Sequence, residues 1–275
     1  MKIKEIRRIA ELDFYTEGPA LDREGNIYFT TMTGGEIIKI GSQLQLVSWA
    51  HTDLPNGQII LPNEDHLICD SGLGKILRFS PGGQYLREEM NGICGGIKVN
   101  VPNDLVVDKY GNLYFTDSVR FHGSVFFIGA NGQEAELVSG LDYPNGIVLS
   151  RNGKTLYVAE SYRNRIISID LTNLHETKNE FEVFIELPYH ESGDPAGNLP
   201  DGIAINKSGL MAVAHYGMQC VRLVSVEGEL IGSLDTGMQC TSNVFFMDEE
   251  TLIVTGGYKE PGPGSVMIMK ILNQQ

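Results

Sequence analysis

The sequence predicts an all-β fold, a six-bladed β-propeller with four strands per blade. The first observation is a phrase made of a polar residue pair, an apolar strand, a Gly/Asn turn and a second apolar strand, seen in full at residues 102–117. The second observation is that this phrase recurs, in altered form, at spacings of 39, 47, 42, 56 and 41 residues. A period of roughly forty residues with a strand pair in each unit is typical of radially repeated sheets rather than helical solenoids.

Each copy opens with a polar pair and continues into further strands. The six opening pairs are Glu17-Gly18, Asn56-Gly57, Asn103-Asp104, Asn145-Gly146, Asp201-Gly202 and Ser242-Asn243. A third strand is predicted in every unit, at residues 36–40, 75–79, 124–128, 165–170, 221–226 and 265–270. A more polar fourth strand follows in most units, as at residues 45–49, 136–139 and 182–185.

The two ends of the chain predict how the ring closes. The last unit reaches its third strand at residues 265–270, and too few residues follow for a fourth. Residues 2–12 alternate like a strand but precede the first unit. We therefore predict that the N-terminal strand completes the last blade, which leaves no open seam in the ring. All of residues 1–275 would then form a single propeller domain.

Composition and charge limit the classes of partner that the protein is expected to bind. The formal net charge of −14 would repel phosphate backbones and anionic membrane surfaces, so nucleic-acid and membrane roles are disfavoured and small molecules and cations are favoured. The first eight residues carry scattered charges and no apolar segment, so we expect neither a secretory signal nor a membrane span there. A cytoplasmic location is predicted. The cysteines lack the close spacing of metal or redox pairs and are expected to be reduced; they are Cys69, Cys94, Cys220 and Cys240.

The opening residues of the six copies predict a polar ring. If each unit's first strand is innermost, these residues lie at one mouth of the central channel, and they are Glu17, Asn56, Asn103, Asn145, Asp201 and Ser242. Asn-Gly and Asp-Gly are also ordinary turn formers, which is a sufficient explanation for any single copy. Glu17, however, is a poor turn residue. Converging carboxylates and amides without a countercharge favour Ca²⁺, and the absence of imidazole and thiolate disfavours Zn²⁺ or Cu²⁺.

Five of these segments carry a resemblance to a known family. They are Glu17-Gly18-Pro19, Pro102-Asn103-Asp104, Pro144-Asn145-Gly146, Pro200-Asp201-Gly202 and Thr241-Ser242-Asn243. Over essentially its whole length, the chain resembles the gluconolactonase and senescence-marker-protein (regucalcin) family. The wider superfamily includes paraoxonase, diisopropyl fluorophosphatase and strictosidine synthase, all six-bladed.

The resemblance implies a metal site and an activity. The ion would be divalent, usually Ca²⁺ and replaceable by Mn²⁺, Mg²⁺ or Zn²⁺, held by the residues matching Glu17, Asn103, Asn145 and Asp201. The implied reaction is hydrolysis of a lactone, with the acid matching Asp104 as general base. The ion would polarise the lactone carbonyl while the carboxylate takes a proton from water.

The loops at the mouth supply candidates for substrate contact. Sugar-lactone members of the family carry an arginine two residues before the third-blade asparagine, where this chain has Val101, and the change predicts a more apolar pocket. The candidates are Asn56, Val101, Phe121, His122, Tyr162, Tyr216 and Tyr258. His215 ends a second strand and is a candidate for proton transfer, with a structural role as the alternative. Tyr189 and His190 are candidates for a lid.

Several functions stay compatible with the sequence. The same ion chemistry supports hydrolysis of an aryl ester or a phosphotriester. Strictosidine-synthase-like relatives act without a metal, and propellers also serve as non-catalytic platforms for partners. Retention of Glu17, Asn103, Asn145 and Asp201 favours the metal-dependent lactonase. Loss of activity in chelator would separate it from a metal-free enzyme or a platform.

Overall fold

A computed structural model describes residues 2–172, 180–191 and 197–272. Within these ranges the chain forms 26 β-strands and two short 3-10 helices, Met32–Gly34 and Ser161–Arg163. Six antiparallel sheets of four strands succeed one another around a central axis, and the innermost strands of neighbouring sheets are in contact around the whole ring. The predicted six-bladed propeller is confirmed. Across the same ranges, no helix combines the length and the apolar character needed to cross a bilayer.

The strands are numbered in chain order, beginning with β1 (Lys2–Leu12). Blade 1 contains β2 (Glu17–Leu21), β3 (Ile27–Thr31), β4 (Glu36–Ile40) and β5 (Leu46–His51). Blade 2 contains β6 (Pro55–Ile60), β7 (His66–Asp70), β8 (Lys75–Phe79) and β9 (Tyr85–Met90), and a small hairpin follows it, β10 (Ile93–Cys94) and β11 (Ile97–Lys98). Blade 3 contains β12 (Pro102–Val107), β13 (Leu113–Asp117), β14 (Gly123–Ile128) and β15 (Glu134–Leu141).

The second half of the chain repeats this arrangement. Blade 4 contains β16 (Pro144–Leu149), β17 (Thr155–Glu160), β18 (Arg165–Asp170) and β19 (Glu182–Glu186). Blade 5 contains β20 (Leu199–Ile205), β21 (Met211–Tyr216), β22 (Cys220–Val224) and β23 (Leu230–Asp235). Blade 6 contains β24 (Cys240–Phe246), β25 (Thr251–Gly257) and β26 (Gly264–Leu272).

The N-terminal strand closes the ring, as predicted. β1 pairs antiparallel with β26 along its whole length and is the outermost strand of blade 6, in the order β1-β26-β25-β24. The innermost strand of blade 6, β24, packs beside β2 of blade 1. The first and last parts of the chain therefore share one sheet.

The hydrophobic core lies in six layers between adjacent blades. Each sheet is covered on both faces by its neighbours, and the second strands of the first three blades, β3, β7 and β13, are buried at every position. A strand covered on both faces has no solvent side, and it therefore reads as a nearly continuous apolar run instead of an alternating one. Phe29, Phe115 and Phe126 are among the largest side chains that are fully buried in these layers.

All six inner strands are irregular at the opening pair. Each one shifts register against its partner there, for example between Glu17 and Ala20 in β2 and between Pro144 and Ile147 in β16. An added Cβ on Gly146 would lie 2.2 Å from the carbonyl oxygen of Asp201 in the next blade, so the second position has room only for glycine there. Bulges of this kind re-aim side chains, and here they turn the opening residues toward the axis.

Blades 3 and 6 break the glycine pattern with Asp104 and Asn243. Asp104 Oδ1 occupies the space beside Gly57, and Asn243 Oδ1 the space beside Gly202, since an added Cβ would lie 2.3 Å and 2.0 Å from these atoms. The two side chains are hydrogen-bonded to each other. This pair, which we call the Asp104–Asn243 plug, lies between two separate cavities of the central channel.

A buried histidine predicts a dependence of stability on pH. The His66 ring packs against Tyr28 and Trp49, with centroids 4.6 and 4.3 Å away, and its Nδ1 lies 3.2 Å from Gln58 Oε1. Burial lowers the pKa of His66 to about 4. Because this folded-state pKa lies below the unfolded value, the contribution of His66 to stability is present above pH ~6.5 and is lost as pH falls through ~4.

We expect the difference in unfolding free energy between wild type and His66→Asn to shrink by about 3 kcal/mol between pH 7 and pH 4. Urea unfolding at both pH values would measure this change. The control is His51→Asn, because the His51 side chain is 69% exposed. Parallel stability profiles for wild type and His66→Asn would show that His66 does not titrate in this window.

Candidate active site

Most of the predicted site residues meet in one cavity of about 330 Å³ at the mouth of the channel. It contains the four predicted metal ligands and three predicted substrate contacts, Glu17, Asn103, Asn145, Asp201, Asn56, Tyr162 and Tyr216. It also contains six residues that were not predicted, Tyr15, Met32, Tyr143, Ser161, Leu199 and Glu260. Ser242 is buried away from the cavity and donates to the carbonyl oxygen of Thr16 at 2.7 Å.

The two carboxylates of the predicted ligand set are buried without a basic partner. Glu17 is 4% and Asp201 is 7% exposed, and no Lys, Arg or His of the described chain forms an ion pair with either. Burial raises the pKa of Glu17 to about 8 and the pKa of Asp201 well above its ordinary value, where the charge of Glu17 adds to the effect. Bringing both groups to their charged form therefore calls for a nearby cation.

Hydrogen bonds hold these carboxylates in place. Glu17 accepts from the Tyr15 hydroxyl at 3.3 Å, from its neighbour's backbone Gly18 N at 3.2 Å, and from Asn243 Nδ2 at 3.3 Å. Asp201 is hydrogen-bonded to the side chain of Asn145. The site is thus fixed from blades 1, 4, 5 and 6 before any ligand binds.

The donor chemistry fits a hard divalent cation. The two carboxylates and the amides of Asn103 and Asn145 offer only oxygen ligands. Ca²⁺ prefers such ligands, whereas Zn²⁺ and Cu²⁺ prefer thiolate or imidazole ligands. In the ranges that the structure describes, no group of three or more His, Cys, Asp or Glu side chains is arranged around an ion site. The amides are therefore needed to complete the ligand set.

Asp104 does not join the cavity at the mouth. It lines the second cavity of about 250 Å³ on the other side of the plug, with Gln58, Asn243 and a largely apolar wall. Its Oδ1 accepts from Leu105 N at 2.9 Å, and burial raises the pKa of Asp104 to about 7. This placement separates Asp104 from the predicted substrate contacts that line the mouth cavity, and its role as general base stays a prediction.

His215 also lies away from the cavity. It is fully buried, its Nε2 is 3.0 Å from Asn164 Oδ1, and its Nδ1 accepts from Arg222 Nε at 3.2 Å. These bonds use both ring nitrogens in one consistent neutral tautomer. Burial, together with the charge of Arg222, lowers the pKa of His215 to about 3. This environment favours the structural alternative for His215, and the proton-transfer role stays a prediction.

Four other predicted contacts lie outside the cavity lining. Val101 is half-buried and its backbone nitrogen donates to Asp117 Oδ1 at 2.6 Å. Phe121, 58% exposed, and His122 project from the loop after β13. Tyr258 lines a separate groove beside β1. Their sequence positions indicated the correct end of the propeller, but position alone does not fix which way a loop side chain turns.

The predicted lid lies in the connection between blades 4 and 5. Tyr189 is exposed, and the backbone nitrogen of His190 donates to Asn198 Oδ1. Residues 173–179 and 192–196 of the same connection lie outside the described residues. The lid therefore stays a prediction.

Two charged residues at the mouth were missed by sequence reasoning. Arg120 stacks on Tyr162, with Cζ 3.4 Å from the ring centroid, and its Nε donates to Asp142 at 2.6 Å. Glu260, in the loop between β25 and β26, accepts from the Tyr216 hydroxyl at 3.0 Å. Both lie on loops between the second and third strands of a blade, and the predicted topology places these loops at the mouth. Their positions could therefore be predicted from the sequence, whereas their hydrogen-bond partners could not.

Comparison with known proteins agrees with this architecture. A family model described as SMP-30/Gluconolactonase/LRE-like region matches residues 15–257. Lactonase drp35 of Staphylococcus aureus is 25% identical over 278 residues, covering 94% of this chain and 83% of that protein. Lactonase drp35 of Staphylococcus saprophyticus is 26% identical over 276 residues, with the same coverage of 94% and 83%.

Solved structures share the fold. A gluconolactonase from Xanthomonas campestris aligns with a TM-score of 0.81 and 21% identity, covering 97% of this chain and 89% of that one. A calcium-binding protein, regucalcin, from Agrobacterium tumefaciens aligns with a TM-score of 0.79 and 18% identity, covering 97% and 94% of the two chains.

Proposed function

The chain belongs to the SMP-30/gluconolactonase/LRE-like family, and on that premise we propose that it is a calcium-dependent hydrolase that opens a lactone ring. The observation that carries the proposal is the pair of buried carboxylates, Glu17 and Asp201, which share one open cavity with two amides and have no basic partner among the described residues. A purely structural ring would gain nothing from two buried charges that repel each other. The names of the drp35 relatives supply the substrate class.

The residues that line the cavity would have different roles in the reaction. Glu17, Asn103, Asn145 and Asp201 would hold the ion, which when bound would polarise the lactone carbonyl and offset the negative charge that develops on its oxygen. Tyr15 fixes the carboxylate of Glu17 through its hydroxyl. The cavity needs no large motion to become organised, because its polar groups are already held by neighbouring blades.

Two aromatic pairs form the walls of the cavity. Tyr143 and Tyr162 meet edge to face with centroids 5.7 Å apart, and Tyr15 and Tyr216 do so at 6.4 Å. These rings exclude water from a flat, largely apolar ring substrate. Tyr143 and Tyr162 also carry hydroxyls that can donate to a substrate oxygen at the edge of the ring, whereas the hydroxyls of Tyr15 and Tyr216 donate to Glu17 and Glu260.

A substrate and metal panel tests the proposal. Purified protein would be assayed with alkyl, aromatic and sugar lactones, an aryl ester and a phosphotriester, each with Ca²⁺, Mg²⁺, Mn²⁺ or chelator. We expect hydrolysis of at least one lactone with Ca²⁺, and its loss in chelator. Undiminished lactone hydrolysis in chelator would contradict the metal. Hydrolysis confined to the phosphotriester would contradict the substrate class, and no hydrolysis at all would favour a binding platform.

The aromatic walls of the cavity predict a preference for alkyl or aromatic lactones over sugar lactones. The described lining of the cavity is rich in tyrosine and contains no Arg, Lys or His, so it offers few charged donors to the hydroxyls of a sugar, and each buried unpaired hydroxyl costs about 1–3 kcal/mol. We expect kcat/KM for an alkyl or aromatic lactone to exceed that for glucono-1,5-lactone by about tenfold or more. A tenfold preference for the sugar lactone would show that other groups, such as Arg120, supply the missing donors.

A matched pair of variants tests the role of the wall. Tyr162→Ala should lower kcat/KM for an aromatic lactone by about tenfold, because it removes both ring contact and the surface on which Arg120 stacks. The control is Tyr110→Ala, since Tyr110 is 71% exposed in the turn between β12 and β13, away from the cavity. Equal activity of the two variants would remove Tyr162 from the substrate site.

A further inference from the structure

The loop between β25 and β26 holds a carboxylate at the mouth of the cavity. Its backbone is tied to the segment before β2, because Tyr15 N donates to the carbonyl oxygen of Pro261 at 2.7 Å. The packing is close, since an added Cβ on Gly262 would lie 1.9 Å from the carbonyl oxygen of Asp13. The Tyr15 hydroxyl in turn donates a hydrogen bond to Glu17. The loop that carries Glu260 is thus fixed relative to the predicted ion site.

The Glu260 side chain is exposed toward the cavity and oriented within it. Glu260 lines the cavity with Glu17 and Asp201. In the part of the chain that the structure describes, its one side-chain hydrogen bond comes from the Tyr216 hydroxyl, which donates to Oε1 at 3.0 Å. Oε2 thus remains available to accept from a molecule in the cavity.

The other carboxylates near the channel have different tasks. Glu17 and Asp201 belong to the proposed ligand set, and a carboxylate that binds a cation is a weaker proton acceptor than a free one. Asp104 is part of the plug and lines the second cavity, not the mouth cavity. Among the described residues that line the mouth cavity, Glu260 is the carboxylate left over for proton transfer.

We propose that Glu260 is the general base of the hydrolysis, with Tyr216 as the residue that positions it. This assignment rests on the proposed lactonase function and names a residue outside the five segments that carry the family resemblance. Its basis is the geometry of an anchored loop, a free carboxylate oxygen and a shared cavity.

The step balances without a further reactant. Oε2 of Glu260 takes a proton from a water molecule as the water oxygen forms a bond to the lactone carbonyl carbon. The ring C–O bond then breaks, and the proton on Glu260 passes to the departing alkoxide oxygen. One water is consumed, the product is a hydroxy acid, and Glu260 returns to its carboxylate form.

The test uses variants of the whole protein on whichever lactone the wild type hydrolyses. Glu260→Gln keeps the shape of the side chain and its bond from Tyr216 but cannot take the proton, so kcat should fall by 10²–10⁴-fold with KM changed less than threefold. Glu260→Ala should lose activity equally and regain part of it in added formate, a small carboxylate that can enter the space left by the side chain. Glu24→Gln, an exposed residue in the turn between β2 and β3, is the control for loss of one negative charge.

The calcium-dependent shift in melting temperature, measured on the same variants, tests whether Glu260 acts as a general base or as a ligand of the ion. Both Glu260 variants should keep the wild-type shift, since the ligand set is intact. Tyr216→Phe should lower kcat by about tenfold, because it frees the carboxylate to rotate. Retention of kcat within threefold in Glu260→Gln, or loss of the melting shift, would overturn the assignment while leaving the lactonase function in place. A wild type that hydrolyses no lactone would overturn both.

Discussion

Asp201→Asn should strongly reduce calcium-dependent stabilisation and lower kcat/KM for lactone hydrolysis on the order of 10³-fold, the effect of removing one preorganised electrostatic group from a site. The replacement keeps the shape of the side chain and removes one of the two buried charges that face the proposed ion. Ca²⁺ affinity should fall by roughly 100-fold or more, and the ligand-induced rise in melting temperature falls with it.

The same variant should have the opposite effect on the metal-free protein. Burial raises the pKa of Asp201 in the folded state, so this carboxyl favours folding below its unfolded pKa of about 4 and loses that contribution as pH rises. Asn cannot ionise. In chelator above neutral pH, Asp201→Asn should therefore melt at a higher temperature than the wild type.

Differential scanning calorimetry with Ca²⁺ and with chelator would measure both effects. The control is Asp235→Asn, an exposed carboxylate on the outer strand of the same blade. It should keep the wild-type calcium shift and activity. Equal calcium shifts in wild type and Asp201→Asn would refute the ion site.

Deletion of residues 1–12 should leave the protein without a cooperative unfolding transition. β1 pairs with β26 over its whole length, and Ile3 packs on the core between blades 5 and 6 while Ala10 belongs to the core between blades 6 and 1. Its loss would expose two core layers and leave an unpaired strand edge. We expect loss of the near-ultraviolet circular dichroism signal and aggregation at micromolar concentration.

A synthetic peptide of residues 1–12 provides the matched control. Added in trans, it can re-form the fourth strand of blade 6, so it should restore a melting transition to the truncated protein, whereas a scrambled peptide of the same composition should not. A truncated protein that melts like the intact one would show that the ring closes without β1.

The fold could be predicted from the sequence because its signals are local and repeated. Turn residues, apolar runs and polar opening pairs recur in every blade, so an error in one copy is corrected by the others. The closing strand was predictable for a similar reason, since β1 alternates on its own and the last sequence unit supplies only three strands to blade 6. Even its bounds agree with the structure, Lys2–Leu12.

The predicted role of Asp104 shows where the local signal ends. Asn103 and Asp104 are neighbours in the chain, which suggested that they share a site. Both residues lie in the irregular segment of β12, where the register shifts between Pro102 and Leu105, and there Asn103 lines the mouth cavity while Asp104 lines the second cavity. Adjacency in the chain therefore did not predict which cavity each side chain lines, because the bulge sets their directions.

The missed contacts join residues that are far apart in the chain. Tyr216 and Glu260 are separated by 44 residues, and Arg120 and Asp142 by 22. His215 was placed at the end of the correct strand, but its bond to Asn164 of the preceding blade could not be read from β21 alone. Such pairs depend on how loops of different blades turn toward one another, which no repeat pattern encodes.

The Asp104–Asn243 plug turns the channel into a dead end. The cavity at the mouth has Glu17 and Asp201 among its deeper, buried residues and Glu260 at its exposed rim. On the proposed function, the ion, water, substrate and product would share one entrance, and the ion would have to bind before the lactone. A product analogue held in the cavity would then trap the ion beneath it, so chelator should strip Ca²⁺ from the occupied enzyme more slowly than from the free one.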